Sequence, residues 1–329
     1  MAASVVRQRG KNCGESGGGE TNTDGQPVPV AGHGPPPKLS LPRFLLVVLT
    51  VSAMDVSVLT WYAEERLEAA EAPQSIDEAL ALLGVDVPER DVTDQASLAL
   101  TVSRLLFAFA ATILTVHIYA TNNYPLVRSN YGNIVHIRRF KRFTTFTVWS
   151  WTLLTAYFLL AATHSLGVAP AFMSGRSRWL PVLFEVCFSA ALMVTLVVHF
   201  VLIPMARRKD PYRLSRLLNW RALTMHYGNL AMMLVEATLS GLPMKREHWI
   251  FMVVYANMYV VFALIWHYAT GIFYYFFMDY TRFLWAPLAY VGLVGIMGVV
   301  WLACVYFVEA LDVYVRPMLL LSLEASAKS

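Results

Sequence analysis

Two adjacent threonines and two distant histidines are of the residue types that acyl-transfer chemistry needs. Thr144 and Thr145 follow a basic run, whereas His226 and His267 lie in apolar stretches much further along the chain. A threonine hydroxyl is a weak nucleophile until a base removes its proton, and imidazole is the usual base near neutral pH. A threonine that opens a helix is also an ordinary N-cap, so a purely structural interpretation stands beside the chemical one.

Other histidines permit a different chemistry. His117, His199, His226 and His267 fall in separate apolar stretches, so two of them could hold a b-type haem between helices. The sequence contains no H-E-x-x-H, HxxxH or HxxHH pattern, and it contains no G-x-S-x-G elbow. We therefore expect no metal centre, and a threonine-based hydrolase would need no cofactor.

Three charged residues inside apolar stretches require partners. An isolated Arg104 in a membrane-crossing helix needs an acidic neighbour, and Glu185 and Glu236 are the candidates. Buried ionisable groups are costly in lipid and are often functional, although an Arg–Glu pair of this kind also serves as a structural tie. We predict that Arg104 contacts Glu185 or Glu236, and we assign all three a structural polar role.

The composition identifies the solvent in which these residues lie. Of the 329 residues, 57% are hydrophobic and 15% are charged, against about 45–50% and about 25% in soluble domains. The mean hydropathy is +0.50. So few charges cannot cover the surface of a soluble protein of this size, which excludes a soluble enzyme, a disordered protein and a nucleic-acid-binding domain.

The apolar residues fall into blocks that are each long enough for a helix to cross about 30 Å of hydrocarbon. The blocks cover residues 43–62, 98–120, 143–166, 180–204, 218–241, 248–277 and 283–311. We expect an all-α polytopic bundle of about seven spans, with a six-span core at 98–311 and one extra N-terminal span at 43–62. The other segments are a disordered tail at 1–42, an acidic loop at 63–97 and a C-terminal tail at 312–329.

Charges in the loops predict the orientation of the spans. Loop 121–142 has five Lys and Arg and no acid, and loop 205–217 has five with one Asp. Loop 63–97 has ten Asp and Glu and two Arg. By the positive-inside rule, the first two loops and the N-terminus are cytosolic. The cytosolic half of the bundle then holds His117, Thr144, Thr145, His199, His226 and His267, and the opposite half holds Arg104, Glu185 and Glu236.

Three stretches within residues 98–311 resemble the androgen-induced family of multi-pass membrane hydrolases. The first is Lys141-Arg-Phe-Thr-Thr-Phe146, a basic residue and then Phe-x-Thr-Phe at the opening of a span. The second is Thr224-Met-His226 with an apolar run to Glu236, so that His and Glu stand ten residues apart. The third is Trp266-His-Tyr-Ala-Thr-Gly-Ile-Phe-Tyr-Tyr275. The order of the stretches and the spans between them also match.

The resemblance implies a function. Members of that family are intramembrane threonine hydrolases of lipid esters, notably fatty acid esters of hydroxy fatty acids. It implies Thr145 as nucleophile and His226 as base, and His267 is a candidate to orient the substrate or bind the oxyanion. The expected partner is a membrane lipid substrate and not a nucleic acid, in an endomembrane such as the endoplasmic reticulum or in the plasma membrane. The alternatives are a non-enzymatic lipid receptor or carrier and a b-type haem protein.

Overall fold

The described part of the chain is an all-α protein whose longest helices can cross a membrane. A computed structural model describes residues 49, 52–53, 55–64, 94–121, 126–128, 134–136, 139–168, 179–209, 211–279, 286–319 and 321. The predicted tail at 1–42, most of the acidic loop at 63–97 and the end of the tail at 312–329 lie outside these residues. Five described helices have the length and apolar composition of a span: Leu98–Ala120, Phe146–Ser165, Trp179–Arg208, Arg246–Thr270 and Gly292–Leu319.

The elements follow one another in a simple order. The helices are α1 (residues 55–64), α2 (Asp94–Ala120), α3 (Phe146–Ser165), α4 (Trp179–Val197), α5 (Ile203–Lys209), α6 (Pro211–Leu217), α7 (Trp220–Leu223), α8 (Asn229–Ser240), α9 (Trp249–Thr270) and α10 (Ala286–Ala310). Between α2 and α3, strands β1 (Leu126–Arg128) and β2 (Ile134–His136) form an antiparallel hairpin. Single π turns occupy Val198–Leu202, Thr224–Gly228 and Leu311–Val315, and 3-10 turns occupy Arg139–Arg142, Arg246–His248 and Phe276–Met278.

Two of the predicted spans are not among the five apolar helices. The block at 218–241 is helical from Trp220 to Ser240 through α7, a π turn and α8, which is about 30 Å at about 1.5 Å per residue. Arg221, His226 and Glu236 make it more polar than the other spans. The block at 43–62 is described only in part, and there it is helical. The last helix continues to Leu319, beyond the predicted end at 311.

Side-chain hydrogen bonds fix α2 and α3 as an antiparallel pair. Near one end, Nη1 of Arg104 donates to the Ser165 hydroxyl at 2.8 Å. Further along, the hydroxyls of Thr115 and Thr155 lie 3.0 Å apart. The partner number falls along α3 as the residue number rises along α2, so the two helices run in opposite directions. The exposed face of α2 is a stripe of large apolar side chains, namely Leu98, Val102, Leu106, Phe109, Ile113 and Val116. Such a stripe suits contact with lipid.

The N-terminal helix α1 packs on the outside of α9. Nδ2 of Asn257 donates to Oδ1 of Asp55 at 2.6 Å. The ring of Tyr62 packs edge-on against Phe251, with centroids 6.4 Å apart. Again the numbers run in opposite senses, so α1 is antiparallel to α9. The acidic residue in the middle of the first apolar block therefore has a buried amide as its partner.

A glycine turns the chain at the end of α9. Gly271 has φ 70°, a left-handed conformation that glycine adopts without strain. Its N–H donates to the carbonyl oxygen of His267 at 2.6 Å. The reversal brings Tyr274 back to the beginning of α3, where its hydroxyl bonds to that of Thr144. The predicted nucleophile Thr145 and its neighbour Thr144 therefore lie where the beginning of α3 meets the end of α9.

Candidate functional site

Thr145 is the N-cap of α3. Its φ and ψ are −107° and 145°, and its Oγ1 accepts a hydrogen bond from the backbone N–H of Val148 at 3.3 Å. The structural interpretation of this threonine is thus confirmed. The bond uses a lone pair of the hydroxyl and leaves its proton available for donation to a base. The positive end of the α3 dipole also favours negative charge that develops on this oxygen.

Thr144 has a different environment from its neighbour. The Thr144 hydroxyl is buried and lies 2.7 Å from both the Lys141 carbonyl oxygen and the Tyr274 hydroxyl. The Tyr259 hydroxyl donates to the Thr144 carbonyl oxygen at 3.1 Å. Thr144 therefore fastens the beginning of α3 to α9 and to the segment after it, and Thr145 is the member of the pair with a proton to give.

His226 lies on the π turn between α7 and α8. The side chain is buried, and its Nδ1 has no hydrogen-bond partner among the described residues. The Thr195 hydroxyl of α4 donates to the His226 carbonyl oxygen at 2.5 Å. A π turn displaces the backbone from the regular helical hydrogen-bond pattern and is frequent at functional sites. Among the described residues, Nδ1 of His226 therefore takes no part in the hydrogen bonds that hold the helices together.

The helix capped by Thr145 and the π turn that carries His226 are packed against each other. Among the described residues, however, no hydrogen bond joins the two side chains, because the Nδ1 of His226 is unpartnered and Thr145 bonds to Val148. The structure therefore brings together the elements that the predicted pair requires. Whether the two side chains form a nucleophile and base pair stays a prediction.

His267 lies in the last turn of α9 and is fully buried. Its ring stacks on that of Phe273, with centroids 3.8 Å apart and an angle of 12° between the planes. At helical spacing, His267 shares a face of α9 with Val260 and Ala263. A role of His267 toward substrate stays a prediction.

Arg104 binds Glu236, one of its two expected partners. Nε and Nη2 of Arg104 donate to Oε1 of Glu236 at 3.0 and 2.7 Å. The Tyr157 hydroxyl donates to the same oxygen at 2.8 Å. All three side chains are fully buried. They join α2, α3 and α8 at the end of the bundle remote from Thr145.

Glu185 has a partner that the sequence did not indicate. Nδ1 of His248 lies 2.6 Å from Oε2 of Glu185, and the N–H of Lys245 donates to Oε1 at 2.8 Å. Both side chains are fully buried. A histidine at the start of an apolar block is ordinarily interfacial, and a pairing with a glutamate more than sixty residues away has no local signal.

A small apolar cavity lies between α4, α9 and α10. Its volume is about 40 Å³ for the centre of a water-sized sphere. Phe146 and Thr147, which directly follow Thr145, form part of its wall. Its other lining residues are Met193, Val194, Val197, Val198, Leu202, Ala256, Tyr259, Val260, Tyr275, Phe277, Met278, Leu293 and Met297. The cavity is therefore adjacent to the threonine turn, although neither His226 nor His267 lines it.

Comparisons place the chain with no known group. No family model, no curated protein and no solved structure matches it. Within the described residues, no three His, Cys, Asp or Glu side chains are grouped so that they could hold a metal ion.

Proposed function

We propose that the protein is an integral-membrane hydrolase of lipid esters, with Thr145 as nucleophile and His226 as base. The observation that carries the proposal is the buried, unpartnered Nδ1 of His226 on a π turn that packs against the helix Thr145 caps. Burying an imidazole nitrogen without a partner costs free energy. If Nδ1 accepts the Thr145 proton during a reaction, this function explains why the unpartnered nitrogen is retained despite its free-energy cost.

The chemistry follows the general scheme of a nucleophile and its base. His226 accepts the proton of the Thr145 hydroxyl as Oγ1 attacks the ester carbonyl carbon. The protonated imidazole then gives this proton to the departing alkoxide, which leaves as an alcohol, and the acyl group stays on Oγ1. Water, activated by the neutral imidazole, attacks the acyl-threonine and releases a fatty acid. The helix dipole of α3 stabilises the negative charge that develops near its N-terminus.

A lipid carrier is the second candidate, and the apolar cavity favours it. The cavity wall contains neither predicted catalytic side chain, so a lipid could be held there without being cleaved. A carrier predicts lipid binding that survives loss of the Thr145 hydroxyl, with no turnover in the native chain. The haem alternative is tested by the visible absorption spectrum of the purified protein.

Replacing Thr145 tests the hydrolase directly. Thr145→Asn keeps a good N-cap but has no hydroxyl nucleophile, so we expect a folded protein without ester cleavage. Thr145→Ser retains both functions and should keep measurable activity. The measurements are covalent labelling by a lipophilic fluorophosphonate and release of fatty acid from a lipid ester, with thermal unfolding to compare stabilities.

Thr163→Ala is the matched control, because Thr163 is on the same helix and bonds to the Leu160 carbonyl oxygen within its own turn. It should label and cleave as the native chain does. His226→Gln should reduce cleavage as strongly as Thr145→Asn, and the double variant should be hardly worse, since groups that act as a unit are not additive. Full labelling of Thr145→Asn would refute the assignment of the nucleophile.

A further inference from the structure

The wall of the apolar cavity has one polar end. Tyr259 and Tyr275 line it, and the Tyr259 hydroxyl is bonded to the Thr144 carbonyl oxygen at 3.1 Å. Away from this end, the side chains from α4, α9 and α10 that line the cavity are aliphatic or methionine, apart from the Tyr259 ring. A small apolar cavity bordered by hydroxyl groups and by the N-terminus of α3 matches part of one fatty acyl chain, with its carbonyl at the polar end.

The cavity and the π turn that carries His226 lie against different faces of α4. Met193, Val194 and Val197 line the cavity. Thr195 instead bonds to the His226 carbonyl oxygen. At about 100° per residue, Thr195 points about 150° away from the centre of the face that holds Met193, Val194 and Val197. The cavity and the π turn that carries His226 therefore contact different faces of α4, and the threonine turn lies beside the cavity.

The catalytic role of the His226 imidazole determines where the two parts of an ester bind, the alcohol part and the acyl chain. The group that protonates the leaving alkoxide must stand next to the alcohol part of the substrate. If that group is His226, the alcohol part lies on the His226 side and the acyl chain lies in the cavity. We propose that the cavity between α4, α9 and α10 binds the acyl chain of the lipid ester, with its carbonyl at the beginning of α3. This inference rests on the proposed hydrolase.

The size of the cavity limits the chain it accepts. One water needs about 10–15 Å³ of such volume, so about 40 Å³ admits a short run of methylene groups. Met193, Met278 and Met297 line the cavity, and methionine side chains adapt readily to new shapes. The cavity therefore admits a longer chain only when these side chains move. Ala256 is buried in the cavity wall and has the smallest side chain of the lining residues. Replacing it with a larger residue therefore reduces the volume of the cavity.

Two photoreactive esters of a medium-chain fatty acid test the arrangement. One carries a diazirine at the end of the acyl chain, and the other carries it in the alcohol part. Both are used with Thr145→Asn, which should bind the ester without cleaving it, and the labelled residues are found by mass spectrometry. We expect the chain-end probe to label α4 at 193–198 or α9 at 256–260, and the alcohol probe to label the π turn at 224–228.

Ala256→Leu fills the cavity and should reduce chain-end labelling about tenfold or more. Ala263→Leu is the matched control, since Ala263 is buried on the same face of α9 and does not line the cavity; it should leave labelling unchanged. Met193→Ala enlarges the cavity and should shift labelling toward longer chains, which provides a second test if Ala256→Leu does not fold. Met252→Ala, a buried truncation outside the cavity, is its control.

The results separate this inference from the hydrolase itself. Chain-end labelling on the π turn, or labelling that neither Ala256→Leu nor Met193→Ala changes, would overturn the acyl-chain assignment even if Thr145→Asn abolishes cleavage. Conversely, if Thr145→Asn still cleaves esters while the chain-end probe labels the cavity, the nucleophile is wrong and the chain-binding cavity stands.

Discussion

Single buried polar residues determine which helices can pack at the end of the bundle away from Thr145. Glu185 and His248 are both fully buried, and each supplies hydrogen-bonding capacity that the other uses. In an apolar interior, the cost of desolvating such groups is offset only while both partners are present. A single substitution in this pair is therefore expected to be destabilising, whereas joint replacement by apolar residues is expected to be tolerated.

His248→Phe should lower the free energy of unfolding by about 3–5 kcal/mol, because it leaves Glu185 buried without its partner. Glu185→Leu combined with His248→Phe should cost less than His248→Phe alone. Thermal unfolding in detergent micelles measures both. Arg246→Ala is the comparison: its ion pair with Glu309 is exposed and is expected to contribute at most about 1 kcal/mol. Strictly additive losses in the double variant would contradict the interpretation of a coupled pair.

For single residues, the sequence showed that a buried charge requires a partner, but it did not show which residue the partner is. It indicated that Arg104 requires an acid, and the structure supplies Glu236. The choice between Glu236 and Glu185 depends on which helices are neighbours, which is a property of packing and not of spacing along the chain. His248 was missed for the same reason, since its partner belongs to another helix.

Whole elements are tied together by the Arg104–Glu236 contact. The pair joins α2 to α8, and Ser165 and Tyr157 add two bonds from α3. Glu236 belongs to the block at 218–241, which is more polar than the other spans. The ion pair with Arg104 therefore compensates for burying this block among apolar neighbours. Disruption should therefore affect folding of the bundle as a whole.

Arg104→Glu should greatly reduce the amount of folded protein, because two buried carboxylates then face each other. Exchanging the charges with Arg104→Glu and Glu236→Arg should recover part of the loss. The same Arg104→Glu change combined with Glu185→Arg should recover none, because Glu185 is paired with His248 instead. Size-exclusion chromatography of the solubilised protein measures the folded fraction. Equal recovery by both combinations would show that the contact is not specific.

Apolar composition and block length were sufficient to predict five helices but not the shape of the block at 218–241. Its π turn is coupled to Thr195 of α4, whose hydroxyl bonds the carbonyl oxygen of His226. That donor comes from a different helix, so no pattern within the block reveals the turn. The N-cap at Thr145 was predictable because it depends on residues three positions apart.

On the scale of the whole molecule, side-chain pairs test the consistency of the predicted arrangement. Arg104 lies level with Glu236 and Ser165, as expected if consecutive spans alternate in direction. Thr144 lies level with Tyr274, after the end of α9. The antiparallel contact of α1 with α9 assigns the N-terminal end of α1 to the same side as Tyr274. Contacts of this kind fix relative directions, whereas the side that faces the cytosol is predicted from loop charge alone.

Cysteine accessibility in sealed microsomes determines that side. Cys187 and Cys304 are buried and free, so a chain with Cys13→Ser should label only weakly with a membrane-impermeant maleimide. Ser215→Cys, at an exposed position in the basic segment 205–217, should label from the cytosolic side. Val168→Cys and Glu64→Cys, at exposed positions after α3 and at the end of α1, should label only after the membrane is opened. Labelling of both Glu64→Cys and Ser215→Cys from the cytosolic side would show that α1 does not cross the membrane. Labelling of Ser215→Cys only after the membrane is opened would show that the whole bundle has the opposite orientation, with Thr145 and His226 in the lumenal half.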